Sequence, residues 1–413
     1  STAPDQIAVA PGKLIKEYEK DGRRYFEYAN EGKIQNFFNI SSASYEVAEE
    51  TWQNTNGRDV KVQVFHHPDH NRNVDRFMEA TKLSLEYYSD QFSPFQFDQM
   101  RILEFPRYAS FAQSFPNTVP YAESFGWVGN FSDPTDNDYA FTVTAHEVAH
   151  QWWGHQIAPS ATRGANQISE TMAQYSSLMV TKKRYGEASM GKFLKYDLDS
   201  YLRGRAGESK FEKTLLDNDT QGYVWYRKGA VIMYALSDYI GEERLNKGFA
   251  AMLDSFALKE SAPFATTADW YGYIKEVTPD SLHYFLKESF EEITLYENRA
   301  LAASYNTEPD ANGKYKVTLK VDTRKVIYEG SGEEKSRPTE ASLIEIGVFA
   351  EDGFNEQGLV EKQPLFQEKR WLTPGEHTIE IYVDEEPAKA GIDPYNKLID
   401  RVSDDNLIDV DEE

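Results

Sequence analysis

The chain has 413 residues, with 44 lysines and arginines against 68 aspartates and glutamates, and its formal net charge is −24. Such an acidic surface repels phosphate backbones and anionic headgroups, so we predict neither nucleic-acid nor membrane-surface binding. Cysteine is absent, which excludes disulfides and leaves histidine, aspartate and glutamate as metal ligands. No apolar run approaches the roughly 20 residues of a membrane span and the first residues lack a signal sequence, so we expect a soluble, mature or excised piece.

The beginning of the chain is predicted to be rich in β-structure. Nearly alternating segments at 24–28 and 60–64 are separated by Asn-Gly and Glu-Gly pairs. Apolar residues at helical spacing then predict a helix over 74–92, which ends before a Ser-Pro pair. A strand is predicted over 101–105.

The middle of the chain is predicted to be mainly helical. Helices over 139–153 and 169–184 are separated by a polar connection that contains glycine and proline. After Gly229 the helical pattern continues almost throughout, and we predict a helical subdomain with helices over 230–239, 244–256, 267–276 and 279–290.

Beyond about residue 303 the hydrophobic period changes to two. Segments at 315–321, 343–348 and 378–383 alternate between loops of Gly, Pro and Asp, a pattern typical of a β-sandwich. The length of the chain also favours two or three domains.

Residues 146–150 read His-Glu-Val-Ala-His, which is the most informative pattern in the sequence. On a helix, positions i and i+4 share one face, so His146 and His150 can converge on a tetrahedral metal with Glu147 beside it. This spacing predicts the zinc-binding and base-supplying face of a metallopeptidase. The alternative is an ordinary amphipathic helix with two incidental histidines.

A zinc site needs a third protein ligand, and Glu170 lies on the next predicted helix. The alternative for Glu170 is a carboxylate that the helix dipole favours at a helix N-terminus, but the two upstream histidines favour the ligand. Tyr226 precedes the helical subdomain, and a phenol near the zinc could donate a hydrogen bond to the oxyanion formed during amide hydrolysis.

Three segments resemble the gluzincin aminopeptidases of the aminopeptidase N type. They are His-Glu-Val-Ala-His-Gln-Trp-Trp-Gly at 146–154, Ser-Glu-Thr-Met-Ala-Gln-Tyr at 169–175 and Tyr-Arg-Lys-Gly at 226–229. Residues 105–113 and 201–205 are also similar to the peptidase domain that some bacterial proteins carry fused to an ABC-transporter permease. The resemblance extends over roughly residues 20 to 400.

The resemblance implies one zinc ion per chain, held by His146, His150 and Glu170. It also implies peptide-bond hydrolysis by a zinc-activated water, with Glu147 as general base and Tyr226 stabilising the oxyanion. The implied fold is α+β and multidomain: a β-rich remnant of an N-terminal domain at 1–65, a thermolysin-like catalytic domain with a helical subdomain at 66–303, and an immunoglobulin-like β-sandwich at 304–413.

The sequence departs from the family pattern at three places. Nineteen residues separate His150 from Glu170, where the family usually has 18. The segment Gln113, Ser114 and Phe115 is expected to bind substrate, but Ser114 stands where the family has the glutamate that grips the free amine of the substrate. Most of the N-terminal β domain is expected to be absent. Aminopeptidase-like specificity therefore competes with endopeptidase action.

The sequence alone leaves other interpretations of the chain open. The chain could be a non-catalytic, zinc-containing peptide-binding or sensory domain, although Glu147 and Tyr226 favour catalysis. By family analogy it is expected to be an extracytoplasmic domain, periplasmic or at the cell surface, of a bacterial membrane protein of the transporter type. His66, His67 and His70 are interpreted as a polar loop rather than a second metal site, and His155 as a loop or packing residue.

Overall fold

The computed structural model describes residues 1–30, 32–133, 136–354, 360–361 and 364–413. The chain forms two compact units, and each combines segments that are distant in sequence. The first unit comprises residues 1–181 and 242–277, and the second comprises residues 182–241 and 278–413. The functional division at 1–65, 66–303 and 304–413 stays a prediction.

The helices are distributed over both units. In chain order they are α1 (Val74–Gln91), α2 (Tyr139–Ala149), α3 (Met172–Tyr185), α4 (Met190–Ala206), α5 (Gly229–Ile240), α6 (Glu242–Phe256), α7 (Thr267–Val277) and α8 (His283–Leu286). Short 3₁₀ turns lie at Glu187–Ser189, Asp280–Leu282 and Ser403–Asp405, and π-helical turns at Glu123–Trp127, Gln167–Thr171, Tyr223–Lys228 and Lys287–Glu291.

The strands cluster at the two ends of the chain. The first group is β1 (Ile7–Val9), β2 (Lys13–Lys20), β3 (Arg23–Ala29), β4 (Ser41–Ala43), β5 (Glu46–Gln53), β6 (Asp59–His66), β7 (Gln99–Phe105) and β8 (Thr118–Ala122). The second group is β9 (Ile293–Tyr296), β10 (Arg299–Tyr305), β11 (Tyr315–Thr323), β12 (Lys325–Tyr328), β13 (Glu334–Ser336), β14 (Ser342–Phe349), β15 (Gly353–Phe354), β16 (Val360–Glu361), β17 (Pro364–Leu372), β18 (Gly375–Val383), β19 (Lys389–Ile392), β20 (Leu407–Asp409) and β21 (Asp411–Glu412).

A four-stranded sheet in the order β5-β6-β7-β8 forms the framework of the first unit. Strands β6, β7 and β8 are parallel, and β5 runs antiparallel to β6. All residues of β7 are buried, as expected for a central parallel strand covered on both faces. Helix α1 provides the crossover from β6 to β7 that a parallel pair requires.

Helix α2 and the turn after it are held in an aromatic core. The Tyr88 hydroxyl of α1 donates to the carbonyl of Ala145 at 2.9 Å. Trp152 is fully buried, its ring lies 5.3 Å from that of Tyr88, and its indole N–H donates to the Ser93 carbonyl at 2.9 Å. Trp153 donates to the Ser176 hydroxyl of α3 at 3.0 Å. These contacts fasten the C-terminal end of α2 to its neighbours.

Replacing Trp152 by alanine should therefore destabilise the protein by about 3–5 kcal/mol, because a fully buried ring and its hydrogen bonds are lost. Thermal unfolding followed by calorimetry measures this change. Trp371, which is 52 % exposed, is the matched control, and its replacement by alanine should cost less than about 1 kcal/mol. Equal effects of the two replacements would contradict the packing role of Trp152.

The second unit combines helices with several sheets in which all described pairs except β10 with β21 are antiparallel. Two four-stranded sheets have the orders β18-β11-β10-β21 and β17-β14-β19-β20, and a three-stranded sheet has the order β13-β12-β9. Along β18 the burial alternates, with Ile379, Ile381 and Val383 facing the core. A β-rich C-terminal region is thus confirmed, within an α+β multidomain fold.

Most predicted helices lie where they are expected. Helix α2, however, ends at Ala149 rather than near 153 because the chain turns there, and α4 was not predicted. The helix predicted over 279–290 is wrong as one continuous element, since α8 is flanked by a 3₁₀ turn and a π-helical turn. Among the described residues, no helix is long and apolar enough to cross a membrane.

Candidate metal centre

Three side chains of the first unit converge on one point. His146 lies near the end of α2, His150 caps that helix, and Glu170 comes from the following π-helical turn. The Glu170 Oε2 atom lies 3.3 Å from the Nε2 atoms of both histidines, and the two Nε2 atoms are 3.2 Å apart. Within the described parts of the chain, this is the one group of three or more His, Asp or Glu side chains arranged to hold a metal.

The triangle has the dimensions of a zinc site. A tetrahedral zinc ion with ligand bonds of about 2.0–2.1 Å has neighbouring ligand atoms about 3.3 Å apart, which matches the three observed distances. Two imidazoles and a carboxylate are also ligands that zinc accepts. The donor set therefore fits one ion, with a fourth position left for a non-protein ligand.

Hydrogen bonding orients His150 toward this point. Its Nδ1 atom lies 2.9 Å from the carbonyl oxygen of Trp153, so an Nδ1–H donates there and Nε2 is the nitrogen directed at His146 and Glu170. The chain reverses at Gly154, where φ is +140° and a Cβ atom would lie 3.4 Å from the His150 carbonyl. Glycine suits this position because L side chains rarely adopt that backbone conformation.

Glu170 reaches the histidines despite the additional residue before it. It lies in the π-helical turn Gln167–Thr171, directly before α3. A π-turn closes its hydrogen bond over one more residue than an α-turn, and such turns are frequent at functional sites. The π-helical turn therefore accommodates locally the additional, nineteenth residue between His150 and Glu170.

The electrostatics of the triangle favour the charged forms of His150 and Glu170. Burial would lower the pKa of His150, but the Glu170 and Glu147 carboxylates outweigh it and raise this pKa to about 9. Burial would raise the pKa of Glu170, but the two histidines hold it well below its usual value. Three close and buried polar groups stabilise one another here, and a cation can take over that role.

Glu147 lies beside the triangle on α2 and is 7 % exposed. Burial raises the pKa of its carboxyl above the ordinary value, and the nearby His150 and His146 only partly oppose this. The backbone N–H of Ser114 faces this carboxyl and also opposes the rise of its pKa. Its Oε2 atom has no hydrogen-bond partner among the described residues, so one carboxylate oxygen is available to a ligand.

The structure places Gln113, Ser114 and Phe115 next to α2. This segment runs antiparallel to β8 through the pairs Ala112 with Tyr121 and Phe115 with Thr118. Ser114 is buried, and its hydroxyl accepts a hydrogen bond of 2.7 Å from Gln151. The serine side chain is therefore directed at the turn that follows α2.

Tyr226 lies in the second unit, in the π-helical turn Tyr223–Lys228. Two ion pairs hold the residues after it: Arg227 with Asp197 at 2.6 Å, and the buried Lys228 with Glu212 at 3.9 Å. A stabilising role of its phenol at the metal centre stays a prediction.

Two further carboxylates of the first unit have roles in the fold. Asp138 caps α2 by accepting from the Phe141 N–H at 3.0 Å, and it pairs with Arg76. Glu123 pairs with Arg107 at 3.2 Å.

The remaining histidines of the first unit lie outside the triangle. His70 contacts Glu104 at 2.5 Å, and the backbone N–H of His67 donates to the same carboxylate at 2.7 Å. His155 follows α2 in a loop, as expected, with its Nε2 atom 3.3 Å from the Ser114 carbonyl. Burial and the charge of His150 lower the pKa of His155 to about 4, so its imidazole is neutral near pH 7.

The first unit also contains a cavity of about 640 Å³. Its lining includes Lys13, Gln35, Pro116, His155 and Leu258. Neither the three residues of the triangle nor Glu147 is among the described residues that line it. We assign it no role in the chemistry of the triangle.

Two buried histidines and a half-buried glutamate, with a second glutamate on the histidine helix, are typical of zinc peptidases. The profile described as "Peptidase family M1 domain" matches residues 76–290, slightly more than half of the chain. The chain therefore belongs to peptidase family M1 and is aminopeptidase-like. This family is zinc-dependent in general.

Several known proteins are similar over part of their length. Endoplasmic reticulum aminopeptidase 2 of Homo sapiens is 25 % identical over 210 residues, which cover 49 % of this chain and 22 % of that protein. Probable aminopeptidase 2 of Sulfurisphaera tokodaii is 23 % identical over 323 residues, which cover 71 % of this chain and 40 % of that protein. The chain thus spans less than half the length of these relatives.

A solved structure has the same fold over nearly the whole chain. Aminopeptidase A of Legionella pneumophila, crystallised in complex with aspartic acid, superposes with a TM-score of 0.58 at 16 % identity. The match covers 98 % of this chain and 43 % of that one. At this identity the similarity establishes the fold alone.

Two residues at the site were not recognised as functional candidates from the sequence. Gln151 and His155 both contact Ser114. A usable signal was their spacing, since positions 147, 151 and 155 are each four residues apart.

Proposed function

We propose that the protein is a zinc-dependent peptidase that hydrolyses peptide bonds in an aminopeptidase-like manner. The observation that carries the proposal is the triangle of His146, His150 and Glu170, with ligand atoms 3.2–3.3 Å apart and Glu147 beside it. A purely structural zinc site has no need of a neighbouring base.

Each group at the site has its own role in the proposed reaction. A bound zinc ion supplies Lewis acidity, which acidifies water and polarises the scissile carbonyl. Glu147 Oε2 accepts a proton from the attacking water and returns it to the leaving amine. Tyr226 donates a hydrogen bond to the carbonyl oxygen as negative charge develops on it.

Ser114 favours a second specificity. The hydroxyl at this position is bonded to Gln151, and serine cannot supply the carboxylate with which the family holds a free amine. Cleavage of internal or N-blocked peptide bonds is therefore the second candidate activity. A peptide-binding domain that keeps zinc without turnover is the third.

Turnover of paired substrates separates these activities. The zinc-loaded protein is offered an aminoacyl-peptide and the same peptide with an acetylated amino terminus, and the products are analysed by mass spectrometry. Cleavage of the free peptide alone indicates an aminopeptidase, and cleavage of the blocked peptide indicates an endopeptidase. Silence on both would contradict hydrolysis and favour the binding domain.

Replacing Tyr226 by phenylalanine should lower kcat about 100-fold, the effect of losing one donor to an oxyanion. Zinc content and KM should change little, because the substitution removes only the hydroxyl. The replacement of Tyr223 by phenylalanine in the same turn is the control. An unchanged kcat in the Tyr226 variant would exclude its phenol from the reaction.

We also propose the finer features that the resemblance implies. These are a thermolysin-like catalytic domain, an immunoglobulin-like C-terminal sandwich, and an extracytoplasmic location in a bacterial membrane protein of the ABC-transporter type. Upstream or downstream membrane-spanning segments in the gene's complete reading frame would support the last feature.

A further inference from the structure

The turn after β7 and before β8 is bonded by one buried amide to the turn that follows α2. Gln151 is fully buried, and its Nε2 atom donates to the Ser114 hydroxyl at 2.7 Å and to the Phe115 carbonyl at 2.9 Å. Its Oε1 atom accepts from the backbone N–H of Asn117 at 2.8 Å. One side chain thus holds three of the four residues 114–117, which we call the hairpin.

The hairpin needs such support because its turn is unusual. Phe115 and Thr118 pair through both backbone hydrogen bonds, at 2.9 and 3.1 Å, and Asn117 between them has a φ of +53°. Asparagine tolerates this left-handed conformation better than most residues. Its N–H points out of the turn, and Gln151 satisfies it.

Two further contacts lock Ser114 itself. Its carbonyl lies 3.3 Å from His155 Nε2, and its backbone N–H faces the Glu147 carboxyl. On its other side the segment is tied to the sheet, where the Gln113 N–H donates to the Pro120 carbonyl at 3.1 Å. Glu147, Gln151 and His155 thus form a row that contacts the hairpin from the side of the metal centre.

We propose that Gln151 and His155 are positioning residues that hold the hairpin against Glu147. They keep the N–H of Ser114 facing the Glu147 carboxylate and fix the distance between this carboxylate and the segment 113–115. The inference rests on the proposed function, because it assigns the segment to peptide binding and Glu147 to proton transfer. Neither positioning residue touches the reacting atoms.

The test compares substitutions that remove the contacts with substitutions that preserve them. Gln151→Met removes all three hydrogen bonds at similar volume, and His155→Leu removes the donor to Ser114. His155→Gln keeps an N–H at the position of Nε2. The matched control is Asn246→Leu, because Asn246 is 1 % exposed in the same unit and also makes three side-chain hydrogen bonds, to Tyr87, Gln91 and Tyr175.

We expect Gln151→Met and His155→Leu to keep one zinc per chain and to lower kcat/KM about 10- to 100-fold, the cost of misplacing a reacting group by about 1 Å. His155→Gln should recover most of that loss. Asn246→Leu should lower the melting temperature similarly while leaving kcat/KM within about twofold of the wild type. All measurements are made well below the melting temperature of each variant.

A second readout does not depend on turnover. In the zinc-loaded Glu147→Gln background, affinity for a fluorescein-labelled peptide is measured by anisotropy, and adding Gln151→Met should weaken it at least about tenfold. The proposed function fails if the wild type cleaves no peptide. The positioning role fails separately if Gln151→Met leaves both peptide affinity and kcat/KM equal to those of the Asn246→Leu control in the same backgrounds, or if the Glu147→Gln parent binds no peptide.

Discussion

Glu147→Gln is expected to retain one zinc ion per chain and to lose turnover by about 10²- to 10⁴-fold, which is the usual contribution of a general base. The amide has the same shape as the carboxylate, so the triangle of His146, His150 and Glu170 is left intact. The amide cannot accept a proton, however. In the wild type, Oε2 of Glu147 has no hydrogen-bond partner among the described residues. Metal analysis and kcat on a peptide substrate measure the two effects.

The control for this variant is Glu243→Gln. Glu243 is an exposed carboxylate of α6 in the same unit, paired with Lys247 at 2.7 Å. Its neutralisation should change neither zinc content nor kcat. Wild-type turnover by Glu147→Gln would refute the assignment of the base, whatever the zinc content.

His150→Ala is expected to abolish both zinc binding and hydrolysis. Removing a partner of a ligand already costs 10- to 100-fold in metal affinity, so loss of the ligand itself should cost more than about 100-fold. It also removes one of the three atoms that define the triangle and leaves only His146 and Glu170. Zinc affinity is measured by competition with a chromogenic chelator.

His67→Ala is the control for the loss of a ligand, because the His67 side chain is 56 % exposed and lies outside the triangle. The wild type and this variant should both bind one zinc ion. A stoichiometry of two in the wild type, falling to one in His67→Ala, would reveal a second site at the histidine cluster. Retention of wild-type zinc affinity by His150→Ala would contradict the proposed metal centre.

These two substitutions separate the proposed functions. If Glu147→Gln retains zinc but not turnover, the protein is a hydrolase and not a binding domain. If His150→Ala loses zinc while the wild type is also inactive on free and blocked peptides, zinc supports binding or folding instead. Ser114 then becomes the residue that explains the absence of aminopeptidase activity.

The amino-acid sequence by itself determined the features that depend on local periodicity. The spacing of four between His146 and His150 puts two imidazoles on one helical face, and alternating residues in the last third of the chain predict strands. The sequence also singled out Glu170, since a metal held without cysteine needs a third oxygen or nitrogen ligand. Helix α4 escaped prediction although it is continuous over Met190–Ala206. The break around α8 escaped prediction because this helix is flanked by short turns whose geometry depends on packing.

Only the tertiary structure decided how those residues meet. The structure brings the three ligand atoms of the triangle within 3.2–3.3 Å of one another. It also shows the π-helical turn that contains Glu170 and the hydrogen bonds from Gln151 to the hairpin. The physical reason is that a helical or strand period records which face of an element is buried, whereas a metal centre depends on distances between elements. Those distances are set by core packing, here by the rings of Tyr88 and Trp152 around the end of α2.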